Sequence, residues 1–202
     1  MNSSDTQDTW DQRYTSAERV WSGQPNGALV TETTGLPPGR ALDVGCGEGA
    51  DAVWLATRGW DVTALDVSGV ALARAARHAE QAQVAVRWVH AGLVEAALPA
   101  FDLVSAQYPA LLRTDGHDAE AALLAAVAPG GTLLVVHHQI VDAEQFKAHG
   151  CDPADYVSPA DVAALLDDSW RIEVNETRPR HVADGAGSHH THDVVLRARR
   201  VA

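Results

Sequence analysis

The segment Ala41-Leu-Asp-Val-Gly-Cys-Gly-Glu-Gly49 constrains the fold more than any other part of this chain. An apolar run stops at a glycine-rich turn, and a helical pattern follows it directly. A second apolar run, Trp60 to Asp66, closes on a carboxylate nineteen residues after Gly47. Strand, turn, helix, strand and acid in that order make a nucleotide-binding βαβ unit. Its glycines let backbone approach a ligand, and its later acid accepts hydrogen bonds from ribose hydroxyls. The glycines Gly45, Gly47 and Gly49 are spaced G-x-G-x-G, with Asp43 at the end of the first strand. That differs from the G-x-G-x-x-G of dinucleotide enzymes. Asp66 also has a plainer reading, as a helix N-terminal acid beside Ser68 stabilised by the helix dipole.

Around this unit, strands and helices alternate. The patterns place strands at Arg40–Val44, Asp61–Leu65, Val84–Val89, Phe101–Ala106 and Gly131–His137, and helices at Ala50–Thr57, Ser68 to about Gln81, and Asp118–Val127. Ser158-Pro-Ala-Asp161 opens a further helix, with a cap serine followed by proline at the first helical position. Alternation of this kind predicts a doubly wound parallel α/β sheet. The last two strands, Trp170–Thr177 and His192–Arg199, have no helix between them. A parallel crossover is therefore excluded, and an antiparallel hairpin is expected. Before residue 40 the chain shows only helical patterns, at Asp5–Arg19 and Gly27–Thr34, then the breaker Leu36-Pro-Pro-Gly39. One domain over 1–202 is expected, with residues 1–38 as a helical lid and 39–202 as a Rossmann-like core.

The net charge of −12 narrows the partners, because a nucleic acid is repelled unless a basic stripe overrides the mean field. The one basic cluster, Arg197-Ala-Arg-Arg200, reads as the polar tail of a strand. No apolar run reaches the roughly 18 residues of a membrane span. The N-terminus lacks the basic and apolar regions of a signal peptide. Cys46 and Cys151 form no disulfide framework and read as reduced thiols. These features predict a cytoplasmic protein, monomeric or homodimeric, with a small-molecule partner and neither nucleic acid nor membrane.

With these motifs in place, the chain from Trp10 to Arg200 resembles the class I S-adenosylmethionine-dependent methyltransferases, in particular the small-molecule type 11/12 and tellurite-resistance-like sort. The resemblance implies a seven-stranded Rossmann-like sheet whose last strand inserts antiparallel. It implies S-adenosylmethionine as cofactor, bound by Asp43, Gly45, Cys46, Gly47, Asp66, Val67, Gly92, Leu93, Ala106 and Gln107, with Arg13 reaching in from the lid. Asp43 would help hold the methionine ammonium, Asp66 the ribose hydroxyls, and Val67 would lie against adenine. The family usually carries an acid where this chain has Gly92, which leaves adenine to backbone near Leu93 and to Glu95. Strand four lacks the Asn/Asp-Pro-Pro-Tyr-like tetrad of nucleobase and glutamine methylases, having Ala106-Gln-Tyr-Pro109 instead. The implied acceptor is a small molecule bearing a thiol, hydroxyl, carboxylate or oxyanion. Two other functions remain: an S-adenosylmethionine-binding protein without catalysis, and an NAD-dependent oxidoreductase.

Trp10, Arg13 and Tyr14 share one helix face by their spacing of three and four residues, and with Trp21 and Asn26 they are candidate walls of the acceptor pocket. Tyr14, His138 and His190 are the candidate catalytic residues. One imidazole could serve as general base, since histidine titrates near neutrality. His189, His190 and His192 also admit a metal-site reading, although they lack a fixed ligand spacing and no metal is expected. A solvated loop with histidines of no special role is the third possibility.

Overall fold

The computed structural model describes residues 3–141, 152–182, 185 and 187–202. Cys151, read above as a reduced thiol, lies outside the described residues. The elements in chain order are α1 (Ser3–Thr15), α2 (Gly27–Thr33), β1 (Arg40–Val44), α3 (Ala50–Thr57), β2 (Asp61–Asp66), α4 (Gly69–Gln81), β3 (Arg87–His90), β4 (Phe101–Gln107), α5 (Asp118–Ala125), β5 (Val127–His138), α6 (Pro159–Ala164), β6 (Trp170–Pro179) and β7 (His192–Arg200). Among the described residues, seven strands form one sheet in the order β3-β2-β1-β4-β5-β7-β6. β1 to β5 pair in parallel, and β7 is antiparallel to both its neighbours. The mostly parallel sheet with an antiparallel C-terminal hairpin is the architecture the alternation implied.

Period-two alternation in the central strands fills both faces. Leu42, Val44, Val104, Ala106, Leu133, Val135 and Leu196 pack with Ala119 and Leu123 of α5 and Val162 of α6. Their neighbours Ala41, Leu103, Leu134, Val136 and Val195 pack on the other face with Ala28 and Leu29 of α2 and Ala52 and Leu55 of α3. A strand buried on both faces must be apolar at every position, which explains the run Thr132 to Val136. Two helix starts obey their signals closely. Ser68 Oγ accepts from the Ala71 N–H, and Ser158 with Asp161 forms a reciprocal capping box behind Pro159.

Several boundaries shift. α1 ends at Thr15 rather than Arg19, and the Tyr14 carbonyl in its last turn is taken by a side chain described below. β3 starts at Arg87 rather than Val84, because Gln83 adopts a left-handed φ of 56° and Val84 still bonds back to Ala79. β5 begins at Val127, with Pro129 to Gly131 absorbed as an irregularity in its pairing with β4. Two arginines of the C-terminal cluster make structural contacts. Arg197 pairs with Glu32 at 3.1 Å and Glu173 at 2.8 Å, and Arg200 donates to the Val127 carbonyl.

The strand order reverses between β1 and β4, so their carboxyl ends part and leave a crevice. The turn after β1 and the residues after β4 face each other across it. The register continues the line: Val44 lies beside Ala106, Gln107 beside Val136, and His138 beside Asp193.

Candidate active site

A cavity of about 960 Å³ occupies that crevice. Its floor is the glycine turn. Gly45 and Gly47 both have positive φ, and Gly49 is the left-handed cap of α3 at φ 82°. A Cβ at Gly49 would lie 2.6 Å from the Ala75 Cβ, so this glycine lets α3 pack against α4. A Cβ at Gly47 would meet Tyr14 Oη at 2.9 Å and Trp21 Nε1 at 3.1 Å. The protein's own N-terminal aromatics thus exclude a side chain there, as well as any ligand.

Three carboxylates line the floor. Asp66 Oδ2 accepts from the Gly47 N–H at 2.8 Å, and Oδ1 accepts from the Ser68 N–H at 2.8 Å. Each oxygen retains a lone pair for a further donor. Asp66 thus holds the start of α4 and also lines the cavity. Burial raises its pKa, opposed by those two amides. Asp43 is buried, and its Oδ2 has no hydrogen-bond partner among the described residues. Burial and then the charges of Asp51 and Asp66 push its carboxyl well above the usual range. Asp51 accepts from both the backbone N–H and the side-chain amide of Asn26, each at 2.7 Å. Burial still lifts it to about 6. Asp51 was not singled out from the sequence, where an acid in a helix's first turn reads as dipole complement alone. The Cys46 thiol is also pushed up, chiefly by burial, and stays protonated.

Over the floor lies the N-terminal segment. Tyr14 is 2 % exposed, and its hydroxyl accepts from Trp21 Nε1 at 2.9 Å. Burial raises the phenol's pKa, so it remains a neutral donor. Arg13 lies over the Trp10 and Trp21 rings at 5.5 and 5.4 Å. A clasp fastens this segment to the turn. Glu48 accepts from the Val20 and Trp21 N–H groups and from Arg74 Nη1 at 2.8 Å. Arg74 Nη2 donates to the Tyr14 and Ala17 carbonyls at 2.6 and 2.7 Å. Glu48 occupies a variable position of the glycine motif, and nothing in the sequence marked it or Arg74. Asn26, considered above for the pocket wall, is spent on Asp51.

The far wall is built from the ends of β4, β5 and β6 and the start of β7. Tyr108 has a φ of 52°, uncommon for a bulky residue. Its hydroxyl donates to Asp193 Oδ2 at 2.9 Å and accepts from Arg180 Nε at 3.1 Å. Arg180 Nη1 donates to the Gly187 carbonyl at 2.8 Å. The His138 ring is sandwiched between Tyr108 at 4.2 Å and His190 at 3.9 Å, both nearly parallel to it. His189 continues the ladder at 4.0 Å from His190. Burial, then neighbouring imidazoles, lowers His137 and His190 to about 4, and burial lowers His138. These rings are uncharged at neutral pH and weak as bases. Among the described residues no group of three or more potential ligands is placed to hold a metal ion.

The expected site residues thus sit as follows. Asp43, Gly45, Cys46, Gly47, Asp66, Val67, Gly92, Leu93, Gln107, Arg13, Tyr14, His138 and His190 all line the cavity. Ala106 does not; its side chain is fully buried in the core beneath. Gly92 is backed by Glu95, whose carboxylate fills the space a Cβ at 92 would need. Tyr108 and Arg180 were missed. The available signal was an aromatic before proline at a strand end, and an arginine just past another strand.

Fold and cavity together define a Rossmann-like α/β protein with an acidic crevice where the strand order reverses. Residues 41–131 match the methyltransferase domain family. An uncharacterized methyltransferase of Mycobacterium tuberculosis is 41% identical over 111 residues, which are 54% of this chain and 55% of that protein. The matched region is thus about half the length of these curated relatives. A solved structure from work on the conversion of a disulfide bond into a thioacetal group during echinomycin biosynthesis superposes with a TM-score of 0.75 at 24% identity, covering 97% of this chain and 92% of that one. Magnesium protoporphyrin IX methyltransferase of Synechocystis, solved with bound S-adenosylhomocysteine, gives 0.62 at 19% identity over 86% and 78%. At these identities the solved structures speak to the fold alone. Residues 41–131 thus resemble a methyltransferase domain, and the seven-stranded sheet has the fold of the solved methyltransferases. Among the described residues no helix is long and apolar enough to cross a membrane.

Proposed function

We propose that this protein transfers a methyl group from S-adenosylmethionine to a small-molecule acceptor, within a single domain whose first 38 residues act as a lid. The observation that carries this reading is the Asp43 carboxylate, buried with Oδ2 unpartnered beside Asp51 and Asp66. Three buried acids without an ion-pair partner among the described residues are costly in a protein by itself. They fit a ligand that brings positive charge, and S-adenosylmethionine brings both an ammonium and a sulfonium. Positive-φ glycines keep the floor open to backbone contact with it.

In this reading Asp43 and Asp51 hold the amino-acid end of the cofactor, with Tyr14 and Arg13 as donors to its carboxylate. Asp66 accepts from the ribose hydroxyls, and Val67, Gly92 and Leu93 border the adenine. When bound, the cofactor supplies a methyl group on a positively charged sulfur, which an acceptor's lone pair can attack. The chain's own contribution is then placement and exclusion of water, the effects that dominate a displacement of this kind. The aromatic lid covers one side, and the wall of Tyr108, His138 and His190 bounds the other. The cavity is at the upper end of the range for a single ligand site, which leaves room for an acceptor beside the cofactor.

Thermal shift with S-adenosylhomocysteine, S-adenosylmethionine, NAD and NADP tests the cofactor. A ligand that binds only the native state must raise the melting temperature by mass action. Stabilisation by the adenosyl ligands and none by NAD is expected; the reverse would leave an oxidoreductase. A turnover screen over thiols, phenols, carboxylates and oxyanions, read as S-adenosylhomocysteine release, tests catalysis. Binding without turnover on any of them would leave a cofactor-binding protein that performs no transfer.

A further inference from the structure

The charges lining the cavity are partitioned. All four acids, Asp43, Glu48, Asp51 and Asp66, belong to the glycine-turn end. Of the two arginines, Arg13 rides on the lid tryptophans over that same end, and Arg180 stands alone on the opposite wall. No acid lines the cavity on Arg180's side among the described residues. Asp193, its partner at 3.5 Å, sits behind the wall at 4 % exposure and does not reach the cavity.

Arg180 is also held unusually firmly for a residue just past a strand. Its side chain is 8 % exposed. Nε is spent on the Tyr108 hydroxyl and Nη1 on the Gly187 carbonyl, and the guanidinium lies 5.2 Å from the Tyr108 ring centre. Nη2 has no hydrogen-bond partner among the described residues. A fixed, desolvated guanidinium with a donor to spare is a receptor for an anion, and its planar fork suits a flat one. The surrounding wall is flat and aromatic as well, and burial disfavours the charged forms of His137, His138 and His190.

We propose that the acceptor is a planar aromatic anion, an aryl carboxylate, thiolate or phenolate, oriented by the Arg180 guanidinium, with Tyr108 and Asp193 as positioning residues behind it. This rests on the methyltransferase reading above. The anion arrives already deprotonated, so no base is needed. A lone pair on its oxygen or sulfur forms the new bond to the methyl carbon. The carbon–sulfur bond of the sulfonium breaks with its electron pair remaining on that sulfur. Two opposite charges are consumed and two neutral products result, a methyl ester, ether or thioether and S-adenosylhomocysteine. Charge annihilation of this kind is favoured where water is excluded. The weak bases of the wall are then sufficient company for the reaction.

Matched probes test the proposal. Benzoate and its neutral isostere benzamide are titrated by calorimetry into protein saturated with S-adenosylhomocysteine. Benzoate is expected to bind at least about tenfold more tightly, and without displacing the nucleoside. Arg180→Met should abolish that preference, and Arg180→Lys, which keeps charge but loses the fork, should retain part of it. Melting curves and S-adenosylhomocysteine affinity show that each variant is folded. Equal binding of the two probes, no binding of either, competition of benzoate with S-adenosylhomocysteine, or an anion preference that survives in Arg180→Met would each overturn the proposal. The wild-type comparison decides even if both variants fail to fold. A wild-type protein that does not bind S-adenosylhomocysteine would instead remove the underlying methyltransferase reading, which separates the two failures.

Discussion

The floor and the far wall of the cavity are both built from buried ionisable groups, yet burial drives them in opposite directions. On the floor, Asp51 rises to about 6 and Asp43 and Asp66 rise as well. On the wall, His137 and His190 fall to about 4. Desolvation penalises the charged form in each case, so acids keep protons and imidazoles lose them. The floor is therefore poised to accept a cation, and His137 and His190 to remain uncharged beside one. The difference teaches where a ligand completes the protein. The floor acids have no ion-pair partner among the described residues, whereas Arg180 on the wall already pairs with Asp193 and Tyr108 and keeps only its Nη2 donor to spare.

The harshest way to break this comparison is Asp66→Ala. It removes two charge-assisted acceptors from the ligand and also leaves the Gly47 and Ser68 amides unpaired. We expect S-adenosylhomocysteine affinity by calorimetry to fall by about 3 kcal/mol or more, with a lower melting temperature. Unchanged affinity in a folded variant would reduce Asp66 to a helix-start acid. Glu48→Gln is next. It weakens the clasp to Arg74 but leaves the floor acids in place, so turnover should fall about tenfold while S-adenosylhomocysteine affinity changes by less than about threefold. Equal losses in both would mean that the lid and the floor are one unit.

Asp43→Asn should sharpen the contrast by separating stability from binding. Replacing a buried carboxyl whose Oδ2 has no partner should raise the melting temperature of the ligand-free protein by a few degrees, an effect of about 1 kcal/mol. Ligand affinity should fall at the same time. A loss of both would mean that Asp43 already has its partner.

pH dependence is a subtler probe. Asp51 has a folded pKa above its unfolded value. Its contribution to stability is present below the unfolded pKa and is lost as pH rises through about 6. The wall imidazoles have folded values below their unfolded ones, so their contribution is lost as pH falls from about 6.5 to about 4. The two slopes oppose each other within the same window. A cationic ligand lowers the floor pKa values, so its affinity should rise with pH through about 6 and release protons on binding. Calorimetry in buffers of different ionisation enthalpy reads this, and a flat profile would place no titrating acid at the ligand. The smallest effect belongs to His190→Ala. At a pKa of about 4 the ring is a poor base, so rates should fall by only about threefold, and equally for thiol and hydroxyl acceptors. A selective loss for hydroxyls would restore the role of base to His190.

Much of the floor was legible because its chemistry is local. The G-x-G-x-G turn, Asp43 at the strand end and Asp66 at the next one lie in one continuous segment whose spacing is fixed by a strand, a helix and a strand. The wall was less legible because it is assembled across the sheet. Tyr108, His138, Arg180 and Asp193 come from four strand ends, and only the insertion of β7 between β5 and β6 makes them neighbours. The clasp was illegible for a related reason. Glu48 stands at a motif position where any residue is allowed, and its partners lie on α4 and in the turn after α1. Boundaries slipped where a local bond overrode the pattern, as at Gln83 and at the end of α1.

The position of β7 also sets an order of assembly during synthesis. β1, β2 and β4, which carry the floor, leave the ribosome well before residue 192. β6 emerges earlier than β7 but has no sheet neighbour until β7 arrives, and β5 keeps an open edge meanwhile. Asp193, which locks Arg180 and Tyr108, comes in with that last strand. A nascent chain halted before β7 could complete the floor of the cavity but not its far wall. The arrival of β7 is therefore a checkpoint in assembly: the floor of the cavity forms first, and the far wall only when translation has passed His192.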